Sequence, residues 1–281
     1  MKILFFVLAV LSGVYLSVLF AMYILQRRFM YRPQREIYTP HKDKSPAGMH
    51  PVTLKTSDGL TLTSWYARPK KTAEGKYFPT IFYFHGNTGI VANAAHKMAA
   101  LGDAGFGVFM LEYRGYGGNE GTPSETGLIT DAKAAREFVL NDLGQDARLV
   151  YYGMSMGTGV ANGLAYDFAP HAMVQEAGFS SFVDAGRVIY WYFPLSLLMK
   201  DTFDSEKRIR KLTAPLLILH GQKDETIPVG QAKKILRAAG STDKHLKIYP
   251  EGHHIDLYDF GATEDVLIWL TELFPDTKKE K

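Results

Sequence analysis

The chain of 281 residues is 46% hydrophobic and 22% charged, a balance that excludes disordered, collagen-like and coiled-coil proteins. It has no cysteine, so a disulfide framework, a thiolate nucleophile and a zinc–thiolate site are excluded too. The net charge of +3 is unevenly placed: setting aside Lys2, Arg27, Arg28, Arg32 and Arg35, which precede the first acid at Glu36, leaves 27 basic against 29 acidic residues, a formal −2 over 36–281 with no footprint for nucleic acid.

From Ile3 to Leu25 the chain carries no charge. At 1.5 Å per residue this run gives a helix of roughly 35 Å, against a hydrocarbon core of about 30 Å. A cleaved signal peptide is the competing reading, but those have apolar stretches of about 7–15 residues and a small-x-small cleavage site. Here the run is longer and ends in Met22-Tyr23-Ile24-Leu25-Gln26-Arg27-Arg28. The expectation is a transmembrane anchor over 1–26, a basic juxtamembrane linker over 27–50, and one soluble domain over 51–281. One lysine precedes the span and four arginines follow it within ten residues, which predicts that the domain faces the cytoplasm. The arginines also suit anionic headgroups.

The soluble part opens with two strand-like runs, PVTLKT and LTLTSWYARP, separated by the turn signal Ser57-Asp58-Gly59. Strands and helices then alternate. Strands are expected at 80–85, 107–113, 148–153, 172–175, 215–221 and 245–250. Helices are expected at 92–105, 123–143 with Ser124 opening it, 156–168, 229–239 and 264–274. This is the pattern of an α/β protein with a mostly parallel, doubly wound sheet and helices on both faces. Residues 177–213 break the alternation. They read either as a pair of helices packed over the sheet edge or as a small lid whose aromatics, Tyr190, Trp191, Tyr192 and Phe193, line an acyl pocket.

Gly153-Met154-Ser155-Met156-Gly157 stands between a strand and a helix. This G-x-S-x-G pattern is a nucleophile elbow, a strained strand-to-helix turn that needs small flanking residues. A serine hydroxyl attacks carbon only when a base takes its proton, so an acid and a histidine should follow in the chain. Asp224, on the turn after the strand at 215–221, is the acid expected, with Glu225 as runner-up. The histidine is His253 or His254, after the last strand. Two adjacent histidines lack the spacing of a helical metal pair, so no metal is expected. The developing oxyanion needs two backbone N–H donors. Met156, after the nucleophile, and Asn87, in the His85-Gly86-Asn87-Thr88-Gly89 loop, are the candidates. His85 should order that loop, and His220 reads as structural.

FHGNTG at 84–89, LEYRGYGGNEGTPSE at 111–125, GMSMG at 153–157, LLILHGQKDETIP at 216–228 and PEGHHID at 250–256, with the N-terminal span, resemble the α/β-hydrolase superfamily. Within it the chain is similar to the membrane-anchored α/β-hydrolase-domain (ABHD) group, the serine aminopeptidase-like and bud-emergence-type hydrolases. The resemblance covers nearly the whole chain. It places the catalytic histidine two residues after the glycine of P-x-G-x-H-I-D, which is His254. It implies an active enzyme that needs no cofactor. Ile255 departs from the eukaryotic relatives, which tend to have Asn there. Ser155 argues against a dehalogenase, which uses Asp at the elbow.

The implied chemistry is hydrolysis of carboxylic esters, lipid esters or thioesters, by a serine hydrolase with Ser155, Asp224 and His254, on a small-molecule or lipid acyl substrate met at the membrane. Two alternatives remain: an aminopeptidase-like peptidase, for which Glu176, Asp184, Asp201 and Asp204 are the available acids, and a noncatalytic membrane-tethered interaction module.

Overall fold

The computed structural model describes residues 1–37, 47–187 and 190–275. Helix α1 (Lys2–Met30) is followed by the hairpin β1 (His50–Lys55) and β2 (Thr61–Ala67). Then come β3 (Thr80–Phe84), α2 (Val91–Ala104), β4 (Gly107–Leu111), α3 (Glu125–Leu143), β5 (Leu149–Met154), α4 (Met156–Asp167) and β6 (Ala172–Glu176). Three short helices follow: α5 (Phe182–Arg187), α6 (Leu195–Leu198) and α7 (Ser205–Ile209). The chain closes with β7 (Leu216–Gly221), α8 (Gly230–Ala238), β8 (Lys244–Tyr249) and α9 (Ala262–Leu273). Among the described residues these form an eight-stranded sheet in the order β1-β2-β4-β3-β5-β6-β7-β8. Only the β1/β2 and β2/β4 pairings are antiparallel.

The strand sequences explain the layering. β3, β4, β5, β6 and β7 are buried along their whole length, as expected of parallel strands covered on both faces. Successive side chains alternate between two cores. Phe82 and Phe84 pack with Leu128, Val160 and Ile235 from α3, α4 and α8. Ile81 and Tyr83 pack with Met98, Val266 and Leu270 from α2 and α9. Each such fully buried Leu or Phe contributes about 1.5–3 kcal/mol. β8, at the sheet edge, alternates instead between half-buried and exposed positions.

Two boundaries differ from the sequence expectation for identifiable reasons. β4 stops at Leu111 because the backbone beyond it is claimed by side chains. Glu112 N–H donates to Ser64 Oγ (3.2 Å) and Arg114 N–H to Asp131 Oδ2 (3.0 Å). The Arg114 guanidinium then bridges Asp131 and Asp58, pinning the loop after β4 to the first hairpin. The second difference is at the N-terminus. α1 runs on through Arg27 to Met30, and Tyr31 is buried in the core beside α3 and α4. Gly117 N–H donates to Gln34 O (2.8 Å). The beginning of the expected linker is therefore part of the domain wall, because Tyr31 buries there an apolar ring that a free linker would leave in water. Residues 38–46 of that linker lie outside the described residues.

α1 is long and apolar enough to be a candidate transmembrane helix, and its apolar surface is largely exposed. In the 177–213 segment, α7 packs on α4 and α8 as part of the layer covering the sheet. α5 and α6 instead pack on each other, and α6 on α1.

Candidate active site

Ser155 sits between β5 and α4 with φ +52° and ψ −120°, a conformation that costs a non-glycine residue of order 1–3 kcal/mol. The flanking glycines make the turn possible. A Cβ on Gly157 would stand 1.9 Å from Phe84 O, and one on Gly153 would stand 2.5 Å from Thr158 Cα. The turn is held by Ser155 N–H donating to Glu176 O (2.9 Å), and by Thr158 donating both N–H (2.9 Å) and Oγ1–H (2.7 Å) to Ser155 O.

Three of the residues singled out in the sequence meet here. His254 Nε2 is 2.9 Å from Ser155 Oγ, and His254 Nδ1 is 2.8 Å from Asp224 Oδ2. A carboxylate oxygen only accepts, so Nδ1 carries the proton and Nε2 is left as the acceptor for the serine hydroxyl. Asp224 is fixed in turn by Thr226 N–H (2.9 Å) and Ile227 N–H (2.8 Å), both donating to Oδ1. His220 lies beneath it, donating from Nε2 to Ile227 O (2.7 Å) and standing 3.4 Å from Asp224 Oδ2. Burial holds the His220 imidazole below its ordinary pKa of 6.5, which favours its neutral form. The runners-up are not in the cluster. Glu225 and His253 are exposed, and His253 N–H donates to Asp256 Oδ1 (2.7 Å).

The His85–Gly89 loop lies against the elbow, where a Cβ on Gly86 would be 3.4 Å from Ser155 Cβ. His85 is buried, donates from Nδ1 to Gly86 O (2.8 Å), packs against Tyr113 with ring centroids 4.1 Å apart and planes tilted by 37°, and places Nε2 3.2 Å from Glu112 Oε1. The other oxygen of Glu112 accepts Val91 N–H (3.0 Å) at the N-terminus of α2, where negative charge is favoured. Asn87 is anchored from the other side: its Nδ2 donates to Met30 O (2.5 Å), and its Oδ1 accepts from Arg32 N–H (3.1 Å) and Tyr116 OH (3.1 Å). Among the described residues neither the Asn87 nor the Met156 backbone N–H is engaged elsewhere.

With that geometry in view, the chain can be set beside known proteins. A family model described as the alpha/beta hydrolase fold matches residues 79–176, and one described as serine aminopeptidase, S33, matches residues 190–259. The uncharacterized protein Rv2307c of Mycobacterium tuberculosis is 34% identical, over 88% of this chain and 87% of its own. The protein bem46 of Schizosaccharomyces pombe is 31% identical, over 76% and 77%. The chain belongs to the α/β-hydrolase superfamily, in the group that includes bem46. The fold is shared with the Pyrococcus furiosus esterase Pf2001, at TM-score 0.69 and 17% identity over 86% of this chain and 98% of that one. It is shared as well with a Pyrococcus horikoshii acylaminoacyl peptidase, at TM-score 0.65 and 18% identity over 83% of this chain and 42% of that one.

In this α/β-hydrolase, Ser155 and His254 open into a cavity of about 660 Å³ whose walls include Phe29, Arg32, Phe179, Phe182, Ile255 and Tyr258. The size is that of a small-molecule site. Beneath the elbow, Lys97 Nζ donates to Glu176 Oε1 (3.1 Å) and Tyr152 OH to Glu176 Oε2 (2.8 Å), all three side chains being buried. Sequence reasoning missed Glu112 and Lys97, and considered Glu176 only as one of four acids available to a peptidase. One signal was available: Glu112 directly follows the apolar strand β4 and Glu176 ends the buried strand β6, where a charge must have a buried partner. Nothing in spacing pointed to Phe29 or Arg32 as walls of this cavity. The aromatics expected to form an acyl pocket divide. Phe193 and Tyr190 line a second cavity beside α1, whereas Trp191 and Tyr192 are exposed.

Proposed function

We propose that the protein is a membrane-anchored serine hydrolase that cleaves carboxylic esters, lipid esters and acyl thioesters among them, with Ser155, His254 and Asp224 as its triad. The observation that carries this reading is the continuous hydrogen-bond chain from Ser155 Oγ through His254 to Asp224. Ser155 Oγ attacks the acyl carbonyl carbon while His254 Nε2 takes its proton. The carbonyl electrons move onto oxygen, which the Met156 and Asn87 amides stabilise; one such donor is worth about 10²–10³ in rate. As the carbonyl re-forms, the bond to the leaving alcohol or thiol breaks and His254 returns the proton to it. Water then attacks the acyl-enzyme by the same route and the carboxylic acid departs. Asp224 keeps the imidazole in the tautomer that leaves Nε2 free to accept.

A fluorophosphonate probe tests the enzyme reading. Labelling of the wild type that disappears in Ser155→Ala is expected; a wild type that labels no more than this variant would refute it and favour a noncatalytic tether. Aminoacyl anilides set against p-nitrophenyl esters separate peptidase from esterase, and preference for the anilides would reverse the assignment. The peptidase reading has less support because the four available acids are already engaged. Glu176 is held by Lys97, Asp184 by Lys234 and Ser180, Asp201 by Arg27, and Asp204 caps α7 by accepting from Lys207 N–H.

α1 is the anchor in this proposal, and the arginines of its last turn and just beyond it, Arg27, Arg28, Arg32 and Arg35, orient the domain to the cytoplasm. Protease digestion of inverted vesicles but not of intact cells is expected; digestion from outside would reverse the orientation.

A further inference from the structure

We infer that α1 is a wall of the substrate site as well as an anchor: its C-terminal turns and the α5–α6 segment form a groove for one long acyl chain, drawn sideways from the bilayer. This rests on the serine-ester reading above and deepens it. Between the two elements lies a cavity of about 480 Å³, where Met22, Phe29 and Met30 face Ala185, Gly186 and Leu198. That volume falls within the range of about 300–1,000 Å³ typical of small-molecule sites.

The two cavities are neighbours. Phe29 of α1 and Phe182 of α5 line both this groove and the Ser155 cavity, so in the inferred pose these two rings mark the passage from the groove to the nucleophile. The groove offers almost no polar partner. Its amide, Gln26, is turned onto backbone: Nε2 donates to Leu198 O (2.9 Å), and Oε1 accepts from Lys200 N–H (2.6 Å). A peptide laid here would lose backbone hydrogen bonds with little beyond the Tyr190 hydroxyl in return, whereas a hydrocarbon chain loses none.

The groove is also held in shape. Arg27 Nε and Nη2 donate to the two oxygens of Asp201 (2.7 and 3.0 Å), the bidentate form of ion pair. Higher on the helix, Tyr15 stacks on Phe193 with centroids 6.2 Å apart, and its hydroxyl donates to Tyr192 O (3.1 Å). Tyr15 lies ten residues before the end of the uncharged run, about 15 Å along the helix, so the segment touching it lies at the depth of the span. Trp191 is 78% and Leu197 82% exposed there. Exposed apolar side chains beside a membrane helix are the surface that dips into lipid. In this inference the mouth of the groove meets the bilayer, and Phe29 and Phe182 stand between its inner end and the Ser155 cavity.

The acyl-chain assignment is tested first by the ratio of kcat/KM for p-nitrophenyl palmitate to that for the butyrate, measured on full-length protein in mixed micelles. Because the ratio is taken within each preparation, loss of folded protein cancels. Gly186→Leu fills the groove from α5, where the new Cβ meets only the flexible end of Leu195 at 3.1 Å, and Met22→Trp fills it from α1. A fall of at least tenfold in the ratio in both variants is expected; an unchanged ratio in both overturns the inference. A second measurement needs no variant: a fluorophosphonate whose long alkyl chain ends in a diazirine is attached at Ser155 and photolysed. Crosslinks to peptides of α1 or α5–α6 support the groove, and crosslinks elsewhere overturn it. Absence of any attachment at Ser155 would instead count against the hydrolase reading itself.

Discussion

The two sides of the Ser155 cavity are built on opposite principles. On one side, the ends of β5, β6 and β7 and the turn after β8 bring Ser155, Asp224 and His254 together: two backbone N–H groups hold Asp224, two glycines that admit no Cβ flank Ser155, and His254 is hydrogen-bonded between them. On the other, α1 and α5–α6 meet through apolar contact, one bidentate ion pair and a few hydrogen bonds between residues more than 170 apart in the chain. The first wall leaves the reacting atoms little freedom, as attack on carbon requires. The second is an apolar surface with few fixed polar contacts. On the proposed function, chemistry falls to the rigid sheet edge and selection of the acyl chain to the softer helical wall.

Substitutions at the rigid wall should be the most damaging. Ser155→Ala is expected to lower kcat by about 10⁶-fold, the scale of a lost triad nucleophile, read by ester hydrolysis with burst-free kinetics. Asp224→Asn preserves shape but favours the wrong imidazole tautomer, and should cost about 10⁴-fold in kcat; a loss below tenfold would show that the acid only shapes the turn. Under the elbow, Lys97→Met strands the buried Glu176 charge and should lower unfolding free energy by about 3–5 kcal/mol in urea titration.

The softer wall should respond less. Arg27→Ala leaves Asp201, 3% exposed at its side chain, without its ion-pair partner, at a cost of about 1–3 kcal/mol. The same change should raise KM for long-chain esters more than kcat falls. If thermal stability and KM are both unmoved, the second wall is not held as described. The smallest effect is in pH. His220 has its folded pKa below 6.5 because it is buried, so the unfolded chain takes up the proton first. Its share of stability is therefore present above about pH 6.5 and lost as pH falls from there through the lower folded value. A melting temperature that declines from pH 7 to 5, with a shallower decline in His220→Gln, is the expected outcome.

The same division explains what could be read in the sequence. The parallel sheet followed from apolar strands alternating with helices, and Gly153 and Gly157 marked the elbow because only a residue without Cβ fits at those contacts. Asp224 and His254 stand where a turn follows a strand, so their meeting depends on sheet order rather than on distance along the chain. The pairing of Arg27 with Asp201 and the seating of Tyr31 have no periodicity or spacing behind them, since they join segments whose proximity only the folded sheet creates. Glu112 was hidden by its strand. Read as the tail of β4, it is instead the group that faces His85 and holds the first turn of α2.

One detail ties the far end of the chain to the chemistry. The carboxamide of Asn87 is gripped by Met30 O and Arg32 N–H, so the amide proposed to steady the oxyanion takes its position partly from the end of α1. Trimming the first thirty residues to obtain a water-soluble version would do more than remove a tether. It would cut one of the guy-ropes of the loop beside Ser155, and turnover would drop even on esters too short to notice the missing helix.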